Sequence, residues 1–400
     1  MTSSNVHDTS PDSATGGMSR FLDNREKYLM FCTTTNEKAA VARHIGRELS
    51  HITPTAPALR IFDAGMGDAT VLTNLMRQMH VDFPHVPWLV VAKEISLEDA
   101  RLGMEKLADR FFEHPQMVVV ITNMNYNEAP SLRPRSPKAF NALNWVDVPL
   151  TGATSFEFAE QLIGLQSTAA EGWQVDINPK TGNPAYRKPT VLVIYRADHS
   201  FILDQVKPQQ GRIFRAAYDL VIASQPYRLR TPPERKVKLV IAPLARTLAP
   251  GGRMITVHAH GSDPGAELIQ QLWPDLEPLK STRQDVLEAA KQILTRPEDR
   301  NLVYEPYENA RSLFDYHMHF MPAGGAGGSI GMSSTYCSFN AATYVAQIDD
   351  DQVREKYESG EWIKTTTDVV KRHGRLWFTN ESFVISRSHE KTQAINAPSF

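Results

Sequence analysis

The chain has 400 residues, of which 42% are hydrophobic, enough to bury one large α/β core with insertions or two modest domains. Lysine and arginine number 43 against 45 for aspartate and glutamate, so the formal net charge of -2 excludes a global positive field that would recruit nucleic acid or an anionic membrane. The two cysteines, Cys32 and Cys337, are too few for a disulfide framework and lack the spacing of a zinc site, so we expect a cytoplasmic protein. Because every apolar run is too short to span a membrane, we also expect it to be soluble.

The first part of the chain changes in character near residue 19. Residues 1–18 are rich in Ser, Thr, Asp and Gly and predict a disordered tail, and residues 388–400 predict a second tail at the other end. Between residues 36 and 49 the apolar side chains recur at helical spacing, with Asn36 as a candidate N-cap. We therefore expect residues 19–58 to form a helical segment or lid ahead of the first strand.

Strands and helices then alternate. Short apolar runs at residues 59–64, 88–92 and 117–121 predict strands, and helical periodicity at residues 70–79 and 97–112 predicts the helices between them. The third run is entirely apolar, as in a sheet that is covered on both faces. This alternation predicts a parallel sheet.

The alternation is interrupted after the third strand and then resumes. Residues 131–188 mix proline and glycine turns with a candidate helix at residues 156–165, so we interpret them as an insertion. Farther along, the pattern predicts strands at residues 190–195, 218–223 and 252–258, helices at 237–248 and 282–294, a glycine-rich loop at 323–331, and a terminal hairpin at 375–387 that turns at Thr379-Asn380-Glu381.

The turn after the first strand carries the strongest chemical signal. It contains Gly65 and Gly67, which let a ligand approach the backbone, while the helix start behind them presents free N–H groups. The third glycine of a dinucleotide fingerprint is replaced by Thr70. The carboxylate of Asp63 at the strand end suits a ligand with an ammonium and a sulfonium and would repel a pyrophosphate. By itself, the pattern also fits a tight strand-to-helix turn without a ligand.

Polar residues follow the second and third strands as well. Glu94, at the end of the second strand, can accept both hydroxyls of a ribose, because ligands of open α/β sheets bind beyond the strand ends. It can equally be a surface acid that caps the next helix. After the third strand, Asn123 is our first candidate for a contact to an adenine edge, and Asn125 is the alternative.

At this point the chain resembles the class I S-adenosylmethionine-dependent methyltransferases. The resemblance rests on the order and spacing of four motifs: the turn from Asp63 to Gly67, Glu94, the strand at residues 218–224, and the Leu-Ala-Pro-Gly-Gly-Arg turn at residues 248–253. It covers roughly residues 59–261, with an interruption at the insertion.

The resemblance implies a doubly wound, mostly parallel seven-stranded sheet with an antiparallel last strand, helices on both faces and an insertion before strand four. It implies S-adenosylmethionine lying across Gly65, Gly67, Glu94 and Asn123, although the family more often has Asp at the position of Asn123. The methyltransferase-like domain would then extend over residues 59–387, with the insertion at about 131–188 and a substrate cover at about 262–345.

The site of the methyl acceptor is predicted after the fourth strand. Ser224-Gln225-Pro226-Tyr227 partly matches the Asn/Asp/Ser-Pro-Pro-Tyr motif with which some amino-methyltransferases hold a planar amine, and Gln225 departs from it. We assign Tyr227 to orienting the acceptor and Ser224 to the cofactor. A β-turn with Tyr227 packed as a core aromatic is the alternative. The resemblance also makes Tyr28 a candidate lid over the methionine end of the cofactor.

Two histidine pairs have the spacing that places both rings on one face of a strand: His258 with His260, and His317 with His319. We assign His260 to the border of the acceptor pocket, as a base or hydrogen-bond partner, and we expect no metal site. Both pairs can also be loop histidines without a role in chemistry.

These observations favour methyl transfer to a small-molecule amine or hydroxyl. A nucleic-acid methyltransferase is the first alternative, because the basic stretch at residues 228–238 adjoins Tyr227, which could stack on a flipped base. A non-catalytic module that keeps the cofactor fold is the second. A nicotinamide-dependent oxidoreductase fits least, and the oligomeric state is left open.

Overall fold

The computed structural model describes residues 25–177, 184–279, 281–319 and 330–389. Both predicted tails, apart from residues 388 and 389, and most of the predicted glycine-rich loop lie outside these ranges. Within them, no helix combines the length and the apolar character that crossing a membrane requires.

One mixed sheet of ten strands organises the described part of the chain, in the order β10-β12-β9-β8-β1-β2-β3-β7-β4, with β11 also paired to β12. A separate hairpin consists of β5 and β6. The strands are β1 Leu59–Asp63, β2 Trp88–Lys93, β3 Met117–Thr122, β4 Asn144–Leu150, β5 Val175–Ile177, β6 Pro184–Tyr186, β7 Thr190–Arg196, β8 Tyr218–Ser224, β9 Leu248–Ala259, β10 Leu302–Tyr304, β11 Leu313–His317 and β12 Trp377–Arg387.

The helices cover both faces of this sheet. They are α1 Arg25–Thr34, α2 Glu37–Gly46, α3 Thr70–Asp82, α4 Leu97–Glu105, α5 Ala108–Glu113, α6 Pro137–Asn141, α7 Ser155–Gly164, α8 Gln166–Gly172, α9 Ser200–Leu203, α10 Pro233–Lys236, α11 Ala242–Ala245, α12 Pro264–Leu272, α13 Arg283–Ile293, α14 Asn309–Ser312, α15 Met332–Val345, α16 Asp350–Ser359 and α17 Glu361–His373. A π-helical turn at Val237–Ile241 joins α10 to α11, so the predicted helix at residues 237–248 begins earlier and ends earlier than expected.

The central strands confirm the predicted parallel α/β sheet. β3, β2, β1, β8 and β9 are parallel neighbours, and every residue of β2 and β3 is buried. Two apolar clusters lie on the two faces, one around Ile61 and Val90 and the other around Phe62 and Val91, because successive side chains of a strand point to opposite faces. The runs without polar residues are therefore strands that helices cover on both sides.

The strand count differs from the expected seven. Counted from β3 to the far edge, where β10 and β11 both pair with β12, the sheet does have seven strand positions. β12 is antiparallel to β9, as the resemblance implies. The region of the predicted insertion and the strand after it add β4 and β7 beyond β3. Since β7 pairs antiparallel with β3, the chain reverses direction at this edge before it returns to the centre at β8.

The predicted terminal hairpin is wrong. Residues 377–387 form one continuous strand, and Asn380 is paired with Ala259 of β9 on one side and with Phe314 of β11 on the other. The polar triplet at residues 379–381 therefore lies in the middle of a strand with partners on both edges, where its backbone groups are bonded in the ladder.

A third apolar cluster lies outside the sheet, among α1, α12, α15 and α17. It contains Phe31, Leu268, Phe339 and Trp362, and it packs against the end of β12 through Phe378. The predicted N-terminal segment is thus joined to the C-terminal helices rather than standing alone: Asn340 on α15 donates a hydrogen bond to the backbone carbonyl of Lys27 at 3.2 Å, and the Phe31 and Tyr344 rings lie 4.8 Å apart.

Candidate functional site

The predicted glycine turn leaves the carboxyl end of β1 and reaches α3 through two residues in left-handed backbone conformation, Gly67 at φ 55° and Ala69 at φ 59°. A β-carbon added at Gly65 would meet no atom within 4 Å, whereas one added at Gly67 would lie 3.1 Å from the Tyr28 hydroxyl oxygen. The backbone at Gly65 is therefore open to a ligand, and Tyr28 lies directly beside the turn, where a lid residue was predicted.

Glu94 reaches this turn from the end of the neighbouring strand β2. One carboxylate oxygen accepts the Gly67 N–H at 2.6 Å, and the other accepts the N–H groups of Ile95 and Ser96, each at 2.7 Å. Burial nevertheless raises the pKa of Glu94, because the chain removes this acid from water. The structure thus joins the predicted ribose contact to the predicted glycine turn by a direct hydrogen bond.

A second buried carboxyl, that of Asp63, lies at the same edge. It accepts the Gly65 N–H at 3.1 Å, and burial raises its pKa to about 7, with the charge of Glu94 adding to the effect. The Lys93 ammonium adjoins the pair, but burial lowers its pKa and it lies 4.6 Å above the Tyr126 ring. Two acids are therefore held close together in a place that favours a cation or hydrogen-bond donors from a ligand.

Lys38 ties the lid candidate to the glycine turn. Its ammonium donates to the Tyr28 hydroxyl at 2.9 Å and to the Asp68 carboxylate, which also accepts from Lys106 at 2.6 Å. Although burial works in the opposite direction, these two lysines hold the pKa of Asp68 well below its usual range. α1, α2 and the turn are thereby fixed relative to one another through Tyr28 and through three charged side chains that the sequence analysis did not single out, Lys38, Asp68 and Lys106.

Asn123 is placed differently from the prediction. Its side-chain amide donates to the carbonyls of Gly172 and Lys188 at 3.0 and 3.2 Å, and its amide oxygen accepts the Thr190 N–H at 2.9 Å. All these bonds tie β3 to the end of α8 and to the start of β7. The Asn123 side chain therefore holds the place where the strand direction reverses between β3 and β7. The alternative, Asn125, is exposed and bonded to Glu128. The adenine contact remains a prediction that neither side chain's geometry favours.

Tyr126 takes the position beside the two acids that was expected of an asparagine. Its hydroxyl donates to the Pro226 carbonyl at 3.0 Å, and the charges of Glu94 and Asp63 add to the effect of burial in raising its pKa. This hydrogen bond links the loop after β3 to the turn after β8. The only sequence signal was a tyrosine four residues beyond the end of the third strand.

The inserted region covers the end of β2. The Trp173 indole N–H donates to the Glu94 carbonyl at 2.9 Å, and the Tyr186 hydroxyl donates to the Ile95 carbonyl. Sequence reasoning missed both residues because the insertion has no recognisable pattern. These two contacts pack the insertion against the segment that carries Glu94.

The turn after β8 starts at Ser224, which is paired with Val257 of β9 and is half-buried. Gln225 has a φ of 47°, and its N–H donates to the Val257 carbonyl at 2.8 Å. Because β8 lies between β1 and β9, this turn and the glycine turn emerge at the same edge of the sheet. The structure therefore brings Ser224 and Tyr227 to the edge that carries Asp63.

Tyr227 contacts His258 of the first histidine pair, and one carboxylate connects His258 with His260. Its hydroxyl oxygen lies 2.6 Å from His258 Nδ1, and His258 Nε2 lies 2.7 Å from Glu381 Oε1. The other oxygen of Glu381 lies 3.3 Å from His260 Nδ1. Burial would raise the pKa of Glu381, but His258 and His260 together hold it below its usual value. Sequence reasoning missed Glu381, which it placed in a hairpin turn.

A cavity of about 370 Å³ begins at His260 and extends between β12, α12 and α15. Its wall is mostly apolar, with Ile269, Leu279 and Phe378 among its side chains. The predicted border of an acceptor pocket thus lies at the mouth of a cavity large enough for a small molecule.

The second histidine pair has a different role. Asn36 occupies the N-cap position of α2, as predicted, but its side chain makes no cap bond. Its side-chain oxygen instead accepts the His317 backbone N–H at 2.8 Å. The pair joins the N-terminal segment to β11. Among the described residues, no group of three or more His, Cys, Asp or Glu side chains is arranged to hold a metal ion.

The basic stretch at residues 228–238 is not a uniform cationic face. Lys236 is buried and its ammonium lies 4.9 Å above the Tyr227 ring, while Arg230 faces Asp349 at 3.9 Å. Part of the charge that suggested a nucleic-acid contact is therefore directed into the protein.

No family model matches the chain, and no curated protein matches it either. Among solved structures, the chain is similar to a geranyl diphosphate methyltransferase in complex with S-adenosylmethionine, with 12% identity, coverage of 94% of this chain and 92% of that one, and a TM-score of 0.31. It is also similar to a putative sarcosine dimethylglycine methyltransferase from Galdieria sulphuraria, with 11% identity, coverage of 88% and 86%, and a TM-score of 0.34. A third similar structure is the [4+2]-cyclase SpnF, with 10% identity, coverage of 87% and 82%, and a TM-score of 0.32.

Proposed function

We propose that the protein transfers the methyl group of S-adenosylmethionine to a small-molecule acceptor. The observation that carries this proposal is the contact between the glycine turn and the second strand, in which the Glu94 carboxylate holds the Gly67 N–H at 2.6 Å beside the buried Asp63 carboxyl. Two acids at the carboxyl ends of adjacent parallel strands suit a ligand that brings positive charge and hydroxyl donors, and disfavour a pyrophosphate.

The residues present fit S-adenosylmethionine. The space above Gly65 lets the cofactor approach the backbone, Glu94 would hold its ribose hydroxyls, and Asp63 would stabilise its positive end. Tyr28 borders the turn as a lid, and Ser224 lies at the same sheet edge. When bound, this cofactor supplies a methyl group made electrophilic by its sulfonium, and the protein has mainly to position an acceptor in line with it.

A small-molecule acceptor is supported by the walls around the site. Trp173 and Tyr186 of the insertion close over the end of β2, and the cavity at His260 lies between β12, α12 and α15. Tyr227, next to His258, would orient an amine or hydroxyl at the exit of β8. The basic stretch, with Lys236 turned inward, supports this acceptor class over a nucleic acid.

Calorimetric titration of the full chain with S-adenosylhomocysteine, alongside NAD, tests the cofactor. We expect stoichiometric binding of the former alone, and a large loss of that binding in Glu94→Gln because the amide replaces a charged acceptor. The matched control is Glu98→Gln, which removes an exposed carboxyl four residues away and should bind like the parent. Binding of neither ligand would favour the non-catalytic module, and equal binding by Glu94→Gln would reject the ribose contact.

A further inference from the structure

Four side chains from three distant parts of the chain form a row: Tyr227, His258 and Glu381 are hydrogen-bonded, and His260 contacts the other carboxylate oxygen of Glu381. Tyr227 follows β8, His258 and His260 are at the end of β9, and Glu381 lies on β12. The successive distances are 2.6 Å from Tyr227 Oη to His258 Nδ1, 2.7 Å from His258 Nε2 to Glu381 Oε1, and 3.3 Å from Glu381 Oε2 to His260 Nδ1. The antiparallel pairing of β12 with β9 places Glu381 directly beside His258.

The middle of this row is shut off from water and its far end is not. The His258 and Glu381 side chains are 2% and 3% exposed, whereas the His260 side chain is 26% exposed and lies at the mouth of the 370 Å³ cavity. The His260 ring is therefore the exposed end of the row beside the cavity, while Tyr227 at the other end is half-buried.

The charges packed around the row favour a carboxylate at Glu381. The Arg283 backbone N–H donates to Glu381 Oε1 at 2.8 Å, and the Lys236 ammonium lies 4.9 Å above the Tyr227 ring, with Asp285 near that ammonium. An ionised carboxylate only accepts hydrogen bonds, so His258 Nε2 carries the donated proton. His258 Nδ1 is then left to accept from the Tyr227 hydroxyl.

We propose that this row takes up the proton that the acceptor loses on methylation, and that the acceptor is consequently a hydroxyl compound or a primary or secondary amine. The inference rests on the proposed function. A tertiary amine or a thioether becomes a cation on methylation without losing a proton, so it would have no use for the row. The site is thus assigned to acceptors that carry an exchangeable proton.

A lone pair of the acceptor oxygen or nitrogen forms the new bond to the methyl carbon, and the carbon–sulfur electron pair returns to sulfur, which becomes a neutral thioether. The acceptor proton passes to Tyr227 Oη while the tyrosine's own proton passes to His258 Nδ1. Glu381 stabilises the imidazolium that forms, as a carboxylate does behind a catalytic histidine, and His258 returns the proton to water through Tyr227 after the product has left.

Turnover provides the first test. The full chain is incubated with methyl-tritiated S-adenosylmethionine and matched probe acceptors, benzylamine and tyramine against their N,N-dimethyl counterparts. We expect label transfer to the primary amines and to the phenol, with little transfer to nitrogen in the dimethylated probes. Equal methylation of the tertiary nitrogens would overturn the proposal.

Variants separate a proton role from a merely structural one. With the best probe acceptor, Tyr227→Phe and Glu381→Gln should lower kcat on the order of 10²-fold while the acceptor KM changes little. The solvent isotope effect, which is the ratio of kcat in H2O to kcat in D2O, should also differ between the parent and Glu381→Gln. His319→Gln, an exposed histidine of the other pair, is the matched control and should match the parent. Parent-like turnover in Glu381→Gln would reject the row.

A spectroscopic measurement needs no acceptor. In the full chain labelled with ¹⁵N-histidine, assigned with His258→Gln, the His258 ring should carry its proton on Nε2 alone, and Tyr227→Phe should change the Nδ1 signal. A ring protonated at Nδ1 could not accept from Tyr227 and would refute the proposal. Titration with S-adenosylhomocysteine distinguishes the two failures: unchanged cofactor binding by an intact protein with the wrong ring proton rejects the row alone.

Discussion

The edge of the sheet holds two regions of different construction. At β1 and β2, backbone N–H groups of a short turn bind the carboxylates of Asp63 and Glu94, which lie about thirty residues apart. At β8 and β9, side chains bind one another, and Glu381 reaches His258 across 123 residues of sequence. The first region is suited to holding a ligand and the second to handling a proton. The residues of the first region follow their own strands closely in sequence, so this region is encoded locally. The second region depends on the tertiary fold, which brings distant residues together.

The largest effect, on cofactor binding, is expected in the first region, at Glu94. Glu94→Ala removes a buried carboxylate bonded to three backbone N–H groups, so we expect S-adenosylhomocysteine binding to weaken by about 2–5 kcal/mol. Calorimetry measures the loss, and circular dichroism checks that the fold is retained. If the affinity stayed within a factor of two, the first region would not be the cofactor site.

The hydrogen bond that ties the loop after β3, beside the first region, to the turn after β8 offers a smaller effect. Tyr126→Phe removes the hydroxyl that donates to the Pro226 carbonyl, and we expect the free energy of unfolding to fall by about 1 kcal/mol. Urea unfolding measures it, with Tyr336→Phe, an exposed tyrosine on α15, as the control. An unchanged midpoint would show that the two regions are held together by other contacts.

The pH dependence of stability probes the buried acid pair. Burial raises the pKa of Asp63 to about 7, well above that of an unfolded aspartate, so between about pH 4 and pH 7 the native state holds more protons than the unfolded chain. This group's contribution to the free energy of unfolding therefore decreases as pH rises through that window, by on the order of 1 kcal/mol per pH unit. Asp63→Asn should remove that decrease in urea titrations at pH 5 and pH 8.

The control for this titration is Asp109→Asn, which changes an exposed aspartate on α5 and should keep the parent's pH dependence. A parallel decrease in Asp63→Asn and the parent would mean that another group titrates in this window.

The smallest effect on stability belongs to Gly65→Ala. An added β-carbon meets no atom within 4 Å, so the free energy of unfolding should change by less than about 0.5 kcal/mol, while the methyl group should hinder the cofactor and weaken its binding. Gly67→Ala is the matched variant, because its φ of 55° strains an alanine and should lower stability as well. Parent-like cofactor binding by Gly65→Ala would mean that the ligand does not approach the turn.

Short-range sequence patterns were enough to predict the parallel core and the region at β1 and β2. Periodicity located β1, α3, β2 and β3, since apolar spacing directly reflects which faces are buried. The glycine turn and Glu94 were predictable because each follows its own strand within a few residues, and parallel strands bring their carboxyl ends to one edge.

The second region and the role of Asn123 depended on tertiary contacts. Residues 379–381 read as a turn, yet pairing with β9 and β11 on both edges makes them part of a strand and carries Glu381 to His258. Asn123 read as a ligand contact, yet the reversal of the sheet at β7 uses both of its amide donors, and its amide oxygen accepts the Thr190 N–H. In both places the partner lies tens to more than a hundred residues away, and the short-range pattern of a chain contains no record of which distant strand will lie beside it.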